Sequence, residues 1–316
     1  MAYFENQNIK IRTFSDIQQR ENETYIKKHD QMTENLFVLG NGESRKDIDV
    51  ELLKTKGKVY GCNAIYREHK IDGLIAVDPM LEHEIYRSGY CDDNKVYFRD
   101  WENMPNEHYE MMKEAQISNM QEPTIREWKH TPENWYAQFV IHGQSTVNQD
   151  RPNDRWKGDG FENVYITWTY GLADMNITLL KDVMKDYYPG GWEGDRIGPE
   201  DPGWSSGATA MYIGCQAEKP KKCYLIGMDM YSTTDFINNL YKNTNGYLSD
   251  TENSVTPQNW VIQMGRVMVR YQDIEFIKVN PDDNNKVSER MPQWDSLPNL
   301  SYLKKSEFYT KLSLDF

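Results

Sequence analysis

No window of the 316 residues holds the 18 or more apolar residues of a membrane-spanning helix. The first residues, MAYFENQNIKIRTFSD, lack the basic segment followed by an apolar segment that marks a secretory leader. Cysteine is scarce. Cys62, Cys91, Cys215 and Cys223 form no CxxC pair and no zinc-type Cys/His spacing. Four such thiols suit buried small apolar side chains in a reducing cytoplasm, although four would permit two disulfides. The histidines, His29, His69, His83, His108, His130 and His142, form neither HxH nor HExxH, and none follows position 142. Positive charge is in deficit: 36 Lys and Arg against 49 Asp and Glu give a net charge of −13. A chain with a pI near 5.0 binds phosphate backbones poorly without a local basic groove. Apolar residues are 38% of the chain and the mean hydropathy is −0.82. Aromatic residues, in contrast, reach 13%, which a disordered chain does not carry. These features argue against membrane proteins, secreted disulfide scaffolds, collagens and coiled coils. The length fits two domains, or one large α/β domain with insertions.

Short apolar runs alternating with helical stretches dominate what is present. Leu36-Phe37-Val38-Leu39 reads as a buried parallel strand ending in the turn Gly40-Asn41-Gly42, with a helical stretch over 45–53. Val59–Cys62 ends at Asn63, Leu74–Val77 ends at Asp78-Pro79, and Lys95–Phe98 is a fourth candidate strand. Residues 79–87 read as a helix. A small-residue helix follows Ser205-Ser206-Gly207, and an apolar strand over 222–229 closes in Gly-x-Asp at Asp229. Thr256 as cap and Pro257 at the first position open a helix to about Tyr271, and Ile274–Val279 reads as the final strand. This alternation predicts right-handed βαβ units and a parallel sheet with helices on both faces.

Residues 1–34 are expected to form an N-terminal extension with a charged helix near 16–30. Residues 35–281 form the main domain, with an insertion or lid at about 100–200. In that insertion 164–168 reads as a strand, 174–187 as a helix and 189–203 as a loop. The segment 231–256 reads as a mobile surface loop. The polar tail 282–316 docks on the domain through Trp294, Tyr302, Phe308 and Tyr309.

Ligands of open α/β sheets bind beyond the carboxyl ends of the strands. There this chain places Gly40, Asn41, Gly42, Ser44, Asn63, Asp78 and Asp229, a convergence that carries more weight than any one motif. Glycines let a backbone approach a ligand, and helix-start amides attract phosphate. The same glycines also serve a plain strand-to-helix turn. Ser205, Ser206 and Gly207 read as a second anion nest or an ordinary N-cap. Asp47-Ile48-Asp49 matches a DxD metal motif, but its place at a helix start favours a capping role, so no metal site is expected.

FVLGNGESRKDID, VYGCNAIYRE and SSGATAMYIGCQAEKPKKCYLIGMDMY are similar in order and spacing to the bacterial sialyltransferase family, with its GNGPS turn, CN strand end, TSG helix and G-x-D strand. The same skeleton resembles flagellin-modifying motility accessory factors, pterin pyrophosphokinase-like proteins and uncharacterised phage proteins with GNGxSRK and GCNALYR motifs. The likeness covers about 37–80 and 204–231. It implies a Rossmann-like fold of the sialyltransferase variant of GT-A. It also implies a nucleotide-sugar donor, of CMP type or another NDP-sugar, held by Asn41, Ser44, Asn63, Ser206 and Gly207. Gly40, Gly42, Asp78, Ser205 and Asp229 complete the expected donor site. No cofactor is required in that family.

The family's histidine base would fall after the G-x-D strand, where this chain has none. Asp235, Asp250 and Glu252 are the candidate replacements. Tyr231 and Tyr247 are candidates for neutralising the leaving phosphate. The expected activity is metal-independent glycosyl transfer in the cytoplasm, that of a host if the chain is phage-encoded. The acceptor would be a glycan or a modified base, with homo-oligomers left open. A non-enzymatic binding or virion-associated role on a degenerate fold is one alternative. A Mg-dependent pyrophosphokinase-like transferase is the other.

Overall fold

The run Leu36–Leu39 lies within β1 (Asn35–Leu39), all five residues of which are buried. A computed structural model describes residues 33–99, 101, 103–104, 138–145, 161–169, 176–184 and 205–314. After β1 come α1 (Val50–Lys56), β2 (Lys58–Cys62), β3 (Gly73–Ala76), α2 (Pro79–Arg87), α3 (Tyr90–Asp93) and β4 (Val96–Phe98). β5 (Asn103–Met104), β6 (Gln138–Ser145), β7 (Phe161–Thr169), β8 (Ile177–Leu179), α4 (Leu180–Val183), α5 (Ser206–Glu218) and β9 (Lys222–Ile226) follow. α6 (Gln258–Arg270), β10 (Glu275–Asn280), β11 (Leu300–Lys304) and α7 (Lys305–Leu314) complete the described elements.

Eight strands form one parallel sheet in the order β11-β10-β9-β1-β2-β3-β4-β8. This is an α/β, Rossmann-like sheet. Alternate side chains of each strand face opposite layers, so a strand covered on both sides must be apolar throughout. Leu36 and Val38 pack beneath α5 and α6 with Met211, Val261 and Met264. Phe37 and Leu39 pack on the other face with Val50 and Leu53 of α1, Ile85 of α2 and Phe308 of α7. Each fully buried leucine or phenylalanine contributes roughly 1.5–3 kcal/mol. Strands added after β1 run outward to β8, whereas β9, β10 and β11 build the other flank. The order therefore reverses between β1 and β9, the point at which open α/β sheets commonly bind ligands.

Several expectations need correction. The 45–53 stretch is not one helix: Glu43–Arg45 is a 3-10 turn, Asp47 adopts φ 64°, and α1 starts only after Asp49. Asp49 caps α1 by accepting from the Leu52 amide at 2.9 Å, which gives the DxD pair a structural role. Residues 177–179, expected as part of a helix over 174–187, form β8, because Ile177, Thr178 and Leu179 pair with β4; among the described residues of that stretch Leu180–Val183 is helical. Pro257 is the N-cap of α6 rather than its first residue. β10 is not the final strand. The tail adds β11 in parallel and α7 above it, with Phe308 and Leu312 buried. Trp294 also docks as read, donating its indole N–H to the Val261 carbonyl at 2.9 Å. Between β4 and β8, β5, β6 and β7 form a separate antiparallel sheet, and 164–168 falls in β7. The 16–30 helix and the 189–203 loop lie outside the described residues. Among the described residues no helix is long and apolar enough to cross a membrane.

Candidate functional site at the carboxyl edge

The Gly40–Ser44 turn closes on the chain itself. The Gly40 amide donates to the Ile226 carbonyl at 2.8 Å and the Gly42 amide to the Gly227 carbonyl at 2.9 Å. A Cβ on Gly40 would lie 2.3 Å from the Gly227 oxygen, and one on Gly42 would lie 2.4 Å from the Asp229 carboxyl. The glycines are needed because the chain leaving β1 touches the chain leaving β9. The Glu43 amide donates to Asn238 Oδ1 at 2.7 Å, and the Ser44 amide to Asp229 Oδ2 at 2.9 Å. Ser44 Oγ donates to the other Asp229 oxygen. These amides are already spent, so of the two readings of the turn the structural one describes Gly40, Gly42 and Ser44. Burial pushes the Asp229 carboxyl above its ordinary range, against the opposing pull of Ser44 and Lys278.

A different group of polar side chains stays open. Ser205 caps α5, its hydroxyl accepting from the Ala208 amide at 3.5 Å. Its own amide is held by Gln263 Oε1 at 2.9 Å. The Ser206 and Gly207 amides have no partner among the described residues, as expected of a helix start. Ser206 Oγ donates to Asn63 Oδ1 at 2.9 Å, and Asn63 Nδ2 reaches Asp78 Oδ2 at 3.4 Å. Asn63 adopts φ 53°, the left-handed conformation that asparagine tolerates better than most residues. Asp78 stands at the N-cap of α2 without capping it. It is exposed to solvent, yet surrounding protein raises its carboxyl pKa by desolvation, opposed by Arg99 and the Asn63 amide.

The 231–256 segment, expected as a mobile surface loop, is tied to this edge. The Leu240 amide donates to the Asn41 carbonyl at 2.8 Å, and Lys242 pairs with Glu43 at 2.6 Å. The Tyr247 hydroxyl accepts from Asn41 Nδ2 at 3.1 Å and from the Ala64 amide at 3.2 Å. Asn41 Nδ2 also donates to the Cys62 carbonyl at 3.1 Å, while its buried Oδ1 has no partner among the described residues. Arg67 holds the loop at Thr244 Oγ1 and the Asn245 carbonyl, and is itself paired with Glu84 at 2.6 Å. Tyr241 is buried against Arg45, whose guanidinium donates to its hydroxyl at 3.0 Å. Tyr247 is thus held at the carboxyl edge beside Asn41, whereas half-buried Tyr231 packs against the α5 and α6 layer.

Asp235, Asp250 and Glu252 are exposed and outside this cluster: the Asp235 and Glu252 carbonyls bond the loop's own amides, and the Asp250 amide donates to Asn243. Sequence reading also overlooked Lys278, buried in β10, whose amine donates to Asn280 Oδ1 and to the Val287 carbonyl at 3.3 Å. A lone lysine within EFIKVN, a run otherwise suited to a covered strand, was its signal. Burial lowers its pKa to about 8. The unfolded chain, near 10.5, then holds a proton that the folded chain has released, so stability rises from pH 8 towards 10.5. Denaturant titrations at pH 7.5 and 9.5 should show this gain, of up to about 1.4 kcal/mol per pH unit, in the wild type and not in Lys278→Met. Equal pH profiles would contradict it.

Among the described residues no group of three His, Cys, Asp or Glu side chains is placed to hold a metal ion. No protein-family model matches the chain, and no curated protein or solved structure matches it either.

Proposed function

We propose that the chain is a metal-independent glycosyltransferase that takes a nucleotide-activated sugar, of CMP type, at the carboxyl edge of the sheet. The observation that carries this reading is the meeting of Ser206, Asn63 and Asp78, from three different elements, beside the first-turn amides of α5, which have no partner among the described residues. A phosphodiester seated on the Ser206 and Gly207 amides gains from both hydrogen bonds and the helix dipole. As the glycosidic bond breaks, negative charge grows on that phosphate. The same amides therefore hold the transition state more tightly than the ground state, and catalysis requires that difference. Asn63 lies between the phosphate position and Asp78 and is placed to orient the sugar. Asn41 Oδ1, which has no partner among the described residues, adds an acceptor for a ligand N–H or O–H at the same edge.

Thermal unfolding with CMP, UDP, GDP and ADP, with and without Mg²⁺, tests the reading. A ligand at 100 times its Kd stabilises by about 2.7 kcal/mol, a shift of about 4 °C for a chain of this size. The expected result is a CMP shift without metal. It should persist in Gly207→Ala, whose Cβ among the described residues meets Met228 at 3.4 Å, and vanish in Gly207→Asp, which sets a carboxylate on the phosphate position. A shift seen only with Mg²⁺ and a nucleoside triphosphate would favour pyrophosphoryl transfer instead. No shift with any nucleotide would remove both readings and leave a binding protein.

A further inference from the structure

We infer that Asp78 is the proton acceptor of the transfer, taking the place that the sequence offered to Asp235, Asp250 or Glu252; this rests on the glycosyltransferase reading above. Four observations converge. Asp78 is exposed at the carboxyl end of β3, so a substrate hydroxyl can reach it. Its side chain is not used as a cap for α2, although it holds the capping position. Among the described residues its side chain accepts one hydrogen bond, the long 3.4 Å contact from Asn63 Nδ2, which leaves its other oxygen to a ligand. Finally, it lies two hydrogen bonds, through the Asn63 amide, from Ser206 at the start of α5. A phosphate at α5 and a base at Asp78 thus flank the space in which an anomeric carbon would sit. The three loop carboxylates have no such relation to α5.

The step balances without further reagents. The acceptor hydroxyl oxygen forms a bond to the anomeric carbon, and its proton passes to an Asp78 oxygen. The bond from that carbon to the phosphate oxygen breaks, and its electron pair leaves with the nucleoside monophosphate. Protein crowding makes Asp78 more basic than a free aspartate, which strengthens it as an acceptor. Among the described residues the charged group that acts on it is Arg99, which follows β4 and opposes the rise.

The test uses CMP-N-acetylneuraminate as probe, with water as acceptor and release of CMP as the readout. Asp78→Asn and Asp78→Ala should keep the CMP thermal shift but lose 10²–10⁴-fold in kcat. The acidic limb of the wild-type kcat–pH profile should be absent from both. Sodium azide, a nucleophile that needs no base, should restore turnover in Asp78→Ala and form the glycosyl azide. Unchanged kcat in both variants, or a loss that azide does not rescue, overturns the assignment while the glycosyltransferase reading stands. CMP binding by the wild type without any CMP release from the probe also overturns it. A wild type that binds no nucleotide fails the parent reading first, and the inference falls with it. Asp78→Glu, which keeps the charge, should retain more turnover than Asp78→Asn if proton transfer is the role.

Discussion

Gly40→Ala will lose about 3–5 kcal/mol of stability, a large share of the roughly 5–15 kcal/mol that a natural domain has. The added carbon would stand 2.3 Å from the Gly227 oxygen, 2.8 Å from the Gly227 carbonyl carbon and 2.9 Å from the Met228 sulfur. The first two are backbone atoms, so no side-chain rotation can relieve the overlap. The chain leaving β1 must separate from that leaving β9, and the Gly40–Ile226 and Gly42–Gly227 hydrogen bonds stretch or break with it. Gly207→Ala is the control: ordinary contact with Met228 and the better helix propensity of alanine should leave it within about 1 kcal/mol of the wild type. Urea titration measures both, and a change in midpoint at constant slope reports stability. A Gly40→Ala midpoint within experimental error of the wild type would show that the two strand ends are not clasped as described.

The second large effect concerns the same clasp from its acidic side. Asp229→Ala should cost about 2–4 kcal/mol. It leaves the Ser44 amide and hydroxyl without their acceptor, each worth about 1–3 kcal/mol when stranded. It also removes the charge that favours protonated Lys278 in the neighbouring strand. Relief of the desolvation of a buried carboxylate returns part of this, which keeps the total below the sum. A double-mutant cycle with Ser44→Ala isolates the contact, with an expected coupling of about 1–3 kcal/mol. Strict additivity of the two substitutions would mean that the pair contributes nothing of its own.

The two substitutions define what the GNGES turn does. Its glycines and serine join the ends of β1 and β9, and the open polar groups lie one strand further on, at Asn63, Asp78 and the start of α5. The loop carrying Tyr247 is bound to that edge by residues from β1 to α2, among them Asn41, Arg67 and Glu84. The site is therefore assembled from segments far apart in the chain, as the 143-residue separation of Ser206 and Asn63 illustrates.

Local chemistry alone was enough for β1, β2, β3, β4, β9 and β10, because strands covered on both faces must be short continuous apolar runs, and each of these ends in a residue that stops the run. It was enough, too, to put Asn63, Asp78, Ser206 and Asp229 at one edge, since parallel strands joined by helices all present their carboxyl ends to the same side. It was not enough for β8 and β11. Their half-buried residues carry no strong period, and they are strands because β4 and β10 offer unpaired edges. Nor does any local signal tell that Ser44 is held by Asp229, that the Asp78 side chain does not cap α2, or that Tyr247 meets Asn41. Hydrogen-bond partners distant in sequence are selected only when the sheet order is set. That order depends on which apolar faces bury each other and not on any single segment.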